Sequence, residues 1–237
     1  MLIASPRHSA EDLILWRDLE ETDLLRAQQR RMSDLEERAL HALESFAPDY
    51  VSVSWGKDSV VVAHLACRLG LDCPLVWFPA GQIENPDCAL VRDAFLARHP
   101  MHYREIAAPP LGDFHELHGH DGAQKEFERV SKICGERYAS GVRADESGTR
   151  KLRMRVWGES SKNTCAPIGW WPTDFVFAYL AKYDLPIHPM YACLGDGRWD
   201  REHLRVGTLG GYRGRQHGRH EHERSYYGAE LRRLGLY

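Results

Sequence analysis

The sequence lacks an excess of charge of either sign, because its 31 lysines and arginines nearly balance its 34 aspartates and glutamates. A net charge of −3 gives no global case for nucleic-acid binding, so any such surface would be a local patch. No apolar run approaches the roughly 18 residues of a membrane span. The first residues, Met1 to Pro6, precede charged helical sequence and do not have the pattern of a signal peptide. We therefore expect a cytoplasmic protein with no membrane partner.

Paired cysteines are also missing. The chain has six cysteines without a CC or CxxC pair, and they are Cys67, Cys73, Cys88, Cys134, Cys165 and Cys193. This scatter excludes the framework of a small secreted disulfide protein and predicts reduced thiols.

Two groups of histidines invite a metal or phosphate interpretation. His115, His118 and His120 have a spacing that suits no common structural zinc site, so a polar loop is the favoured interpretation. His217, His220 and His222 stand among four arginines, Arg213, Arg215, Arg219 and Arg224. This second group fits phosphate contacts and a solvated tail equally well.

The order of elements predicts an α/β protein. Residues 9–47 are predicted helical, and strands are predicted at 50–54, 73–78 and 101–106, with helices between them at 60–69 and 86–99. This βαβαβ alternation indicates a parallel sheet flanked by helices. Farther along, we expect a helix over 124–140, a strand beginning near Val142 and a short amphipathic helix over 172–183. The Gly-, Arg- and His-rich residues 194–225 are expected to be irregular.

The strongest local signal is Ser54-Trp55-Gly56-Lys57-Asp58-Ser59, which lies between a predicted strand and a predicted helix. A tight turn at a helix N-terminus presents backbone N–H groups and positive potential to an anion. Gly56 allows a close backbone approach there. The spacing is not that of a Walker A loop. The alternative is an ordinary turn whose polar residues only cap the helix.

This segment resembles the PP-loop, SGGxDS, of the N-type ATP pyrophosphatases, with Trp55 in place of the first glycine. It is most similar to the branch that contains phosphoadenylyl-sulfate reductases, sulfate adenylyltransferase small subunits and the pyrophosphatase subunits of DNA phosphorothioation systems. Further stretches match in order, and they are Trp77 to Gly81, Gly141 to Arg150, Pro167 to Leu180 and Leu185 to Tyr191. The resemblance covers roughly residues 50–195.

The resemblance implies an adenine nucleotide alpha-hydrolase-like (Rossmann-like) fold with helices on both faces of a parallel sheet. It divides the chain into an N-terminal helical segment (1–48), a PP-loop ATP pyrophosphatase domain (49–193) and an irregular basic C-terminal segment (194–237). It also implies ATP and Mg²⁺ as ligands. The implied catalytic residues are Lys57, Asp58, Arg143 and Arg150, and Asp58 is the candidate metal contact. The implied nucleotide-binding residues are Ser54, Trp55, Gly56, Lys57, Asp58, Ser59, Phe78, Gly141, Arg143 and Glu146.

Arg143 and Arg150 suit the role of anion clamps, because a guanidinium binds phosphate or sulfate through two parallel hydrogen bonds. The alternative is that both arginines pair with Glu146. Lys57 would neutralise phosphate charge, and Asp58 would hold Mg²⁺ or orient the loop.

The cysteine pattern separates the activities within this branch. Thioredoxin-linked reductases use a cysteine near the C-terminus, and the sequence has none after Cys193. An iron–sulfur cluster or a sulfur relay on Cys134, Cys165 and Cys193 is an alternative, but we favour simple burial of these thiols. The leading hypothesis is ATP cleavage to AMP and pyrophosphate for sulfur transfer. DNA backbone phosphate is then the acceptor, and a cysteine desulfurase is a partner. The alternatives are an enzyme of sulfate assimilation and a nucleotide-binding module without turnover.

Overall fold

Five short strands form one parallel sheet in a computed structural model that describes residues 1–107, 128–210 and 219–236. The strands are β1 (Tyr50–Val53), β2 (Leu75–Trp77), β3 (Tyr103–Glu105), β4 (Tyr138–Ser140) and β5 (Thr164–Cys165). Their order is β3-β2-β1-β4-β5, with Val51 opposite Leu75 on one side and Ala139 on the other. The predicted parallel α/β sheet is confirmed.

The strand order places β1 at the centre of the sheet. The chain moves outward from β1 through β2 to β3, then crosses back to β4 on the opposite side of β1. Loops after β1 and β4 therefore leave the sheet in opposite directions. In open α/β sheets, ligands bind outside the carboxyl ends of the strands at such a switch point. The topology thus marks the loops after β1 and β4 as the place for a site.

Helices cover the sheet and extend the core. They are α1 (Ala10–Ala27), α2 (Arg30–Phe46), α3 (Lys57–Arg68), α4 (Asp87–Arg98), α5 (Gly148–Trp157), α6 (Thr173–Lys182) and α7 (Arg219–Arg233). Residues 128–134 are also helical, and short 3₁₀ turns occur at Gly81–Ile83, Ala144–Glu146 and Pro189–Ala192. None of the helices described has the length and apolar composition that crossing a bilayer requires.

Several local predictions need correction. The helix expected over 124–140 ends before β4, since residues 138–140 pair with both β1 and β5, and residues 124–127 lie outside the described part of the chain. The strand expected at Val142 lies at 138–140 instead. The segment 194–225, expected to be irregular, contains the start of α7. Local sequence did not reveal these elements, because tertiary pairing and packing decide them.

Helix α6 was predicted to be amphipathic, but it is buried almost all round. Its residues from Phe175 to Leu180 are all buried, and α1 packs closely along it. A buried ion pair joins α1 to the later chain, since Arg201 Nη2 lies 2.7 Å from Asp23 Oδ1. The N-terminal helices therefore contribute to the same core as the sheet. The three-part division of the chain stays a prediction.

Candidate nucleotide-binding site

The loop after β1 forms a turn that ends at the N-terminus of α3. The backbone N–H of Ser54 donates to Ser59 Oγ at 3.2 Å, and that hydroxyl donates to the Gly56 carbonyl at 3.0 Å. Gly56 is the N-cap residue of α3 and has no side chain to form an N-cap hydrogen bond. An α-helix leaves its first N–H groups without intrahelical acceptors. The turn therefore presents backbone donors and the positive end of the helix dipole at the carboxyl edge of β1.

A side chain at position 56 would crowd this turn. A Cβ there would lie 3.3 Å from the Tyr191 hydroxyl and 3.4 Å from Val206 Cβ. Tyr191 accepts a hydrogen bond from the Lys57 N–H at 3.2 Å, and its ring lies 5.3 Å from Lys57 Nζ. Sequence reasoning missed Tyr191 as part of the site, although it lies in the last stretch quoted for the resemblance.

Lys57, Asp58 and Arg143 form a buried charge cluster beneath the turn. Lys57 Nζ lies 3.0 Å from Asp58 Oδ2, and Arg143 Nε lies 2.6 Å from Asp58 Oδ1. The side chains of Lys57 and Arg143 are both only 2% exposed. Burial alone would raise the pKa of Asp58, but the charges and hydrogen bonds of its two partners outweigh burial and lower it. Burial conversely opposes the Lys57 charge, and Asp58 raises the pKa of the lysine above its usual value.

The loop after β4 contacts the turn directly. A Cβ on Gly141 would lie 2.7 Å from the carbonyl carbon of Asp58 and 2.8 Å from the Ser59 nitrogen. No side chain fits between these two backbones without a shift, so position 141 requires glycine. This contact brings Arg143 to Asp58 and joins the two sides of the switch point.

The clamp predicted for Arg143 does not match its contacts. Its Nη1 donates to the Trp171 carbonyl at 3.0 Å and its Nη2 to Thr173 Oγ1 at 3.1 Å, so all three nitrogens face protein. Arg143 therefore positions Asp58 rather than offering two free donors to an anion. Asp145 is 3.9 Å from Nη1 and its side chain is 58% exposed, so solvent screens this pair.

Glu146 links the buried arginine to an exposed one. Its Oε2 accepts from the Arg143 N–H at 2.9 Å and also from Nη1 of Arg150, whose side chain is 41% exposed. Arg205 donates to the Glu146 carbonyl oxygen, a contact that no local pattern predicted. Of the two arginines predicted to clamp an anion, only Arg150 therefore lies on the surface.

Two predicted binding residues lie elsewhere. Trp55 has a positive φ of 60°, and its indole is fully buried between Phe95 and Tyr103, so only its backbone belongs to the turn. Phe78 packs against Tyr50 with ring centroids 6.3 Å apart, in a separate small apolar cluster. Neither side chain meets the turn.

The metal predictions have little support in the geometry. Both carboxylate oxygens of Asp58 are held by cations, so a direct Mg²⁺ contact from this residue does not fit the arrangement. Within the described ranges, no three His, Cys, Asp or Glu side chains lie close enough to hold a metal ion, so Cys134, Cys165 and Cys193 do not converge. The histidines at 115, 118 and 120 lie outside those ranges.

The C-terminal histidine group is only partly described. His217, Arg213 and Arg215 lie outside the described residues, as does the side chain of Arg219. His222 is 1% exposed, and its Nε2 lies 3.0 Å from the Cys193 carbonyl oxygen. The prediction that His222 contacts phosphate or lies in a solvated tail is therefore wrong.

All six cysteines have a thiol pKa raised by burial. The pKa of Cys73 rises to about 11 and that of Cys193 to about 12. The thiolate is the nucleophilic form of cysteine, so these thiols are poor nucleophiles near neutral pH.

The fold and the turn at its switch point define an α/β protein of the adenine nucleotide alpha-hydrolase-like class. Residues 49–213 match the family model described as the phosphoadenosine phosphosulfate reductase domain. The match spans well over half of the chain, and the protein belongs to this family.

Similar proteins agree with this assignment. A phosphoadenosine 5'-phosphosulfate reductase of Xylella fastidiosa (strain 9a5c) is 24% identical over 212 residues, covering 81% of this chain and 85% of the relative. One of Thiocapsa roseopersicina is 28% identical over 198 residues, covering 73% and 81%. The crystal structure of phosphoadenylyl-sulfate reductase from Candida auris, a phosphate complex, has a TM-score of 0.51 at 14% identity and covers 78% of this chain and 97% of that one. At that identity the likeness supports the fold alone.

Proposed function

We propose that this protein is a PP-loop ATP pyrophosphatase, which cleaves ATP to AMP and pyrophosphate to activate an acceptor for sulfur transfer. The observation that carries the proposal is the N-terminus of α3, which lies at the sheet's switch point above the Lys57–Asp58–Arg143 cluster. Gly56 provides no N-cap side chain there, and among the described residues only the Lys57 N–H of this turn has a side-chain acceptor at the helix start. Two cations and one carboxylate leave this cluster with one excess positive charge. That charge adds to the positive end of the helix dipole, so a bound polyphosphate would relieve an electrostatic imbalance.

The residues then divide the work. An acceptor oxygen attacks the α-phosphorus of ATP, the bond from that phosphorus to the α,β-bridging oxygen breaks, and pyrophosphate leaves with the bond's electron pair. Lys57 and the backbone N–H groups of the turn stabilise the charge that develops on the leaving group. Asp58 fixes the ammonium of Lys57, and Arg143 fixes Asp58. Positioning and charge stabilisation supply the catalysis, and no protein nucleophile is required.

The acceptor that we favour is a DNA backbone phosphate, which would become an adenylate. The terminal sulfur of a persulfide on an external donor, such as a cysteine desulfurase, would then attack this phosphorus, and AMP would leave. A second thiol of the donor protein would cleave the resulting S–S bond, form a disulfide with the first and release the phosphorothioate. Four of the six cysteines are buried, Cys67 and Cys134 are half-buried, and burial raises the pKa of all six thiols. These raised pKa values support this order, because a chain whose thiols stay protonated needs another protein to bring sulfur.

A second candidate is phosphoadenosine phosphosulfate reductase, the name that the similar proteins carry. This reaction needs a thiolate to attack the sulfonyl group. The raised thiol pKa values make the described cysteines unsuited to that attack, so this candidate ranks second.

Product analysis separates the candidates. Purified protein is incubated with ATP and Mg²⁺, with and without DNA, and AMP and pyrophosphate are quantified. A parallel reaction with phosphoadenosine phosphosulfate and a dithiol is assayed for sulfite. We expect pyrophosphate release that DNA stimulates, matched by the sum of free AMP and AMP bound to DNA, and no sulfite.

Sulfite without pyrophosphate would favour the reductase. Nucleotide binding with neither product would favour a module that senses nucleotide without turnover. Either result would contradict the proposed function.

A further inference from the structure

Helix α5 is the most basic element of a chain that is slightly acidic overall. Its ten residues contain four cations and no acid, and the cations are Arg150, Lys151, Arg153 and Arg155. By contrast, α1 carries six acidic residues against two arginines. The local charge on α5 therefore stands out against a net charge of −3 for the whole sequence.

Almost all of α5 faces solvent. Met154 is its only buried residue. Lys151 and Arg155 are four residues apart and therefore lie on the same helix face. In the described part of the chain neither side chain forms an ion pair. These two charges are free to meet a partner.

Exposed apolar groups accompany the charges. Leu152 and Val156 are each 62% exposed, and Trp157 at the end of the helix is 69% exposed. Such exposure of an indole is unusual on a solvated surface and often marks an interaction site. One side of Trp157 also lines a groove with Arg150, Arg153, Glu159 and Thr164. The indole of Trp157 thus lies in the same groove as the guanidinium groups of Arg150 and Arg153.

The helix begins at the candidate site. Ser147 caps it by accepting from the Arg150 N–H at 3.2 Å, and Arg150 pairs with Glu146. Glu146 in turn holds the backbone of Arg143, the partner of Asp58. A polymer lying on α5 would therefore reach the turn that binds the nucleotide phosphates.

We propose that α5 is the docking surface for a single nucleic-acid strand that crosses its exposed side, with phosphates on Lys151 and Arg155 on one helix face and on Arg153 on the other, and with one base stacked on Trp157 beside Arg153. Alternation of cations with an aromatic face is the arrangement that binds single strands without sequence preference. An acidic protein would satisfy the charges but would leave the indole without a stacking partner. This inference depends on the proposed function in one respect, which is that the bound strand is the acceptor that ATP activates.

Fluorescence anisotropy with a short labelled single-stranded DNA tests this surface in the absence of ATP. For single strands, the logarithm of the binding constant falls with the logarithm of salt concentration by about 0.7 per phosphate contact. We expect Lys151→Ala/Arg155→Ala to make that slope shallower by about 1.4, since two contacts are lost. The control Arg17→Ala/Arg30→Ala removes two exposed cations from α1 and α2 and should leave the slope unchanged.

Trp157→Ala should weaken binding by roughly tenfold at every salt concentration, leave the slope unchanged, and be partly rescued by Trp157→Phe. All these residues are exposed, so thermal melting should show intact folds for each variant. Equal binding by wild type and Lys151→Ala/Arg155→Ala would overturn the proposal, as would no DNA binding at low salt. Absence of DNA binding together with a dimer that Lys151→Ala/Arg155→Ala dissociates would assign the surface to a second copy instead. Because no ATP is present, failure here is distinct from failure of pyrophosphate release.

Discussion

Helix α3 carries a buried charge cluster at each end, and the two clusters differ in how the helix dipole meets them. At its N-terminus are Lys57, Asp58 and Arg143. At its C-terminus, Arg68 Nη1 donates to Glu36 Oε2 at 2.8 Å, and Lys182 Nζ lies 2.5 Å from Glu36 Oε1. Each cluster has two cations and one carboxylate, and the pKa of the carboxyl group is lowered in both against the opposing effect of burial.

The helix dipole distinguishes them. One excess positive charge beside the negative C-terminal end is complemented by the helix itself, whereas the same excess beside the positive N-terminal end is not. The C-terminal cluster is therefore complete, and Tyr183 further satisfies Glu36 with a hydrogen bond of 2.6 Å. The N-terminal cluster has no such complement, and under the proposed function a bound anion supplies it. An ion cluster alone does not mark a candidate site, but its position on the helix and sheet does.

The largest expected difference between the two ends is in stability. Arg143→Ala leaves Asp58 without one of its two cationic partners and removes a guanidinium that is only 2% exposed, so we expect the free energy of unfolding to fall by about 3–5 kcal/mol. Arg68→Ala should cost clearly less, because its side chain is 31% exposed and Glu36 retains Lys182 and Tyr183. Urea denaturation measures both. Equal losses of unfolding free energy in the two variants would show that the deeper burial of Arg143 does not make its contribution to stability larger than that of Arg68.

The next largest expected difference between the two ends of α3 is in their effect on activity. Asp58→Asn removes the charge that fixes Lys57, and we expect pyrophosphate release to fall on the order of a hundredfold. Glu36→Gln makes the equivalent change roughly 16 Å away along the helix and should keep activity within about twofold wherever the protein is folded. Matched rates for the two variants would remove the functional distinction between the ends.

Gly141→Ala tests the contact that builds the N-terminal end. The new methyl group would meet the Asp58 and Ser59 backbone, and we expect a loss of about 1–3 kcal/mol in unfolding free energy together with weaker nucleotide binding. Gly148→Ala is the control, because nothing lies within 4 Å of a Cβ at that position. A Gly141→Ala protein with unchanged binding would show that the two loops need not touch.

Acidification should lower the free energy of unfolding through His64, which lies at the C-terminal end of α3. His64 lies beside that cluster, with its Nδ1 2.9 Å from the Tyr179 hydroxyl, and burial lowers its pKa to about 4. The unfolded chain binds the proton below about pH 6.5 and the folded protein only below about pH 4, so stability falls as pH decreases between these values. His64 should contribute up to about 1.4 kcal/mol per pH unit in this window. Denaturation of His64→Asn across the window should show a pH dependence that is shallower by this amount, and the buried His188, whose pKa is lowered to about 3, should retain its own share. An unchanged pH dependence would refute the assignment to His64.

Sequence reasoning anticipated the two ends unequally. Lys57 and Asp58 are adjacent and lie in a motif between a strand and a helix, so local pattern was sufficient to find them. The role of Arg143 was not predictable, because its inward orientation depends on the contact between Gly141 and Asp58. The Glu36 cluster has no local signal at all, since its members come from α2, α3 and α6.

The parallel sheet followed from the alternation of buried strands and helices over residues 50–106. By contrast, β4 was mistaken for helix because it is only three residues long and has no β-branched residue, and only pairing with β1 and β5 specifies it. Trp55 was assigned to the ligand from its place in the motif, but its size and apolar surface direct it to the core instead.

Calorimetric titration of the folded protein with ATP tests the central claim most directly. We expect one nucleotide to bind per chain, with affinity greatly reduced in Lys57→Met, which removes the excess positive charge of the cluster, and retained in Glu36→Gln. If ATP and phosphoadenosine phosphosulfate both fail to bind, or if Lys57→Met binds them as tightly as the wild type, the N-terminus of α3 is not the phosphate site.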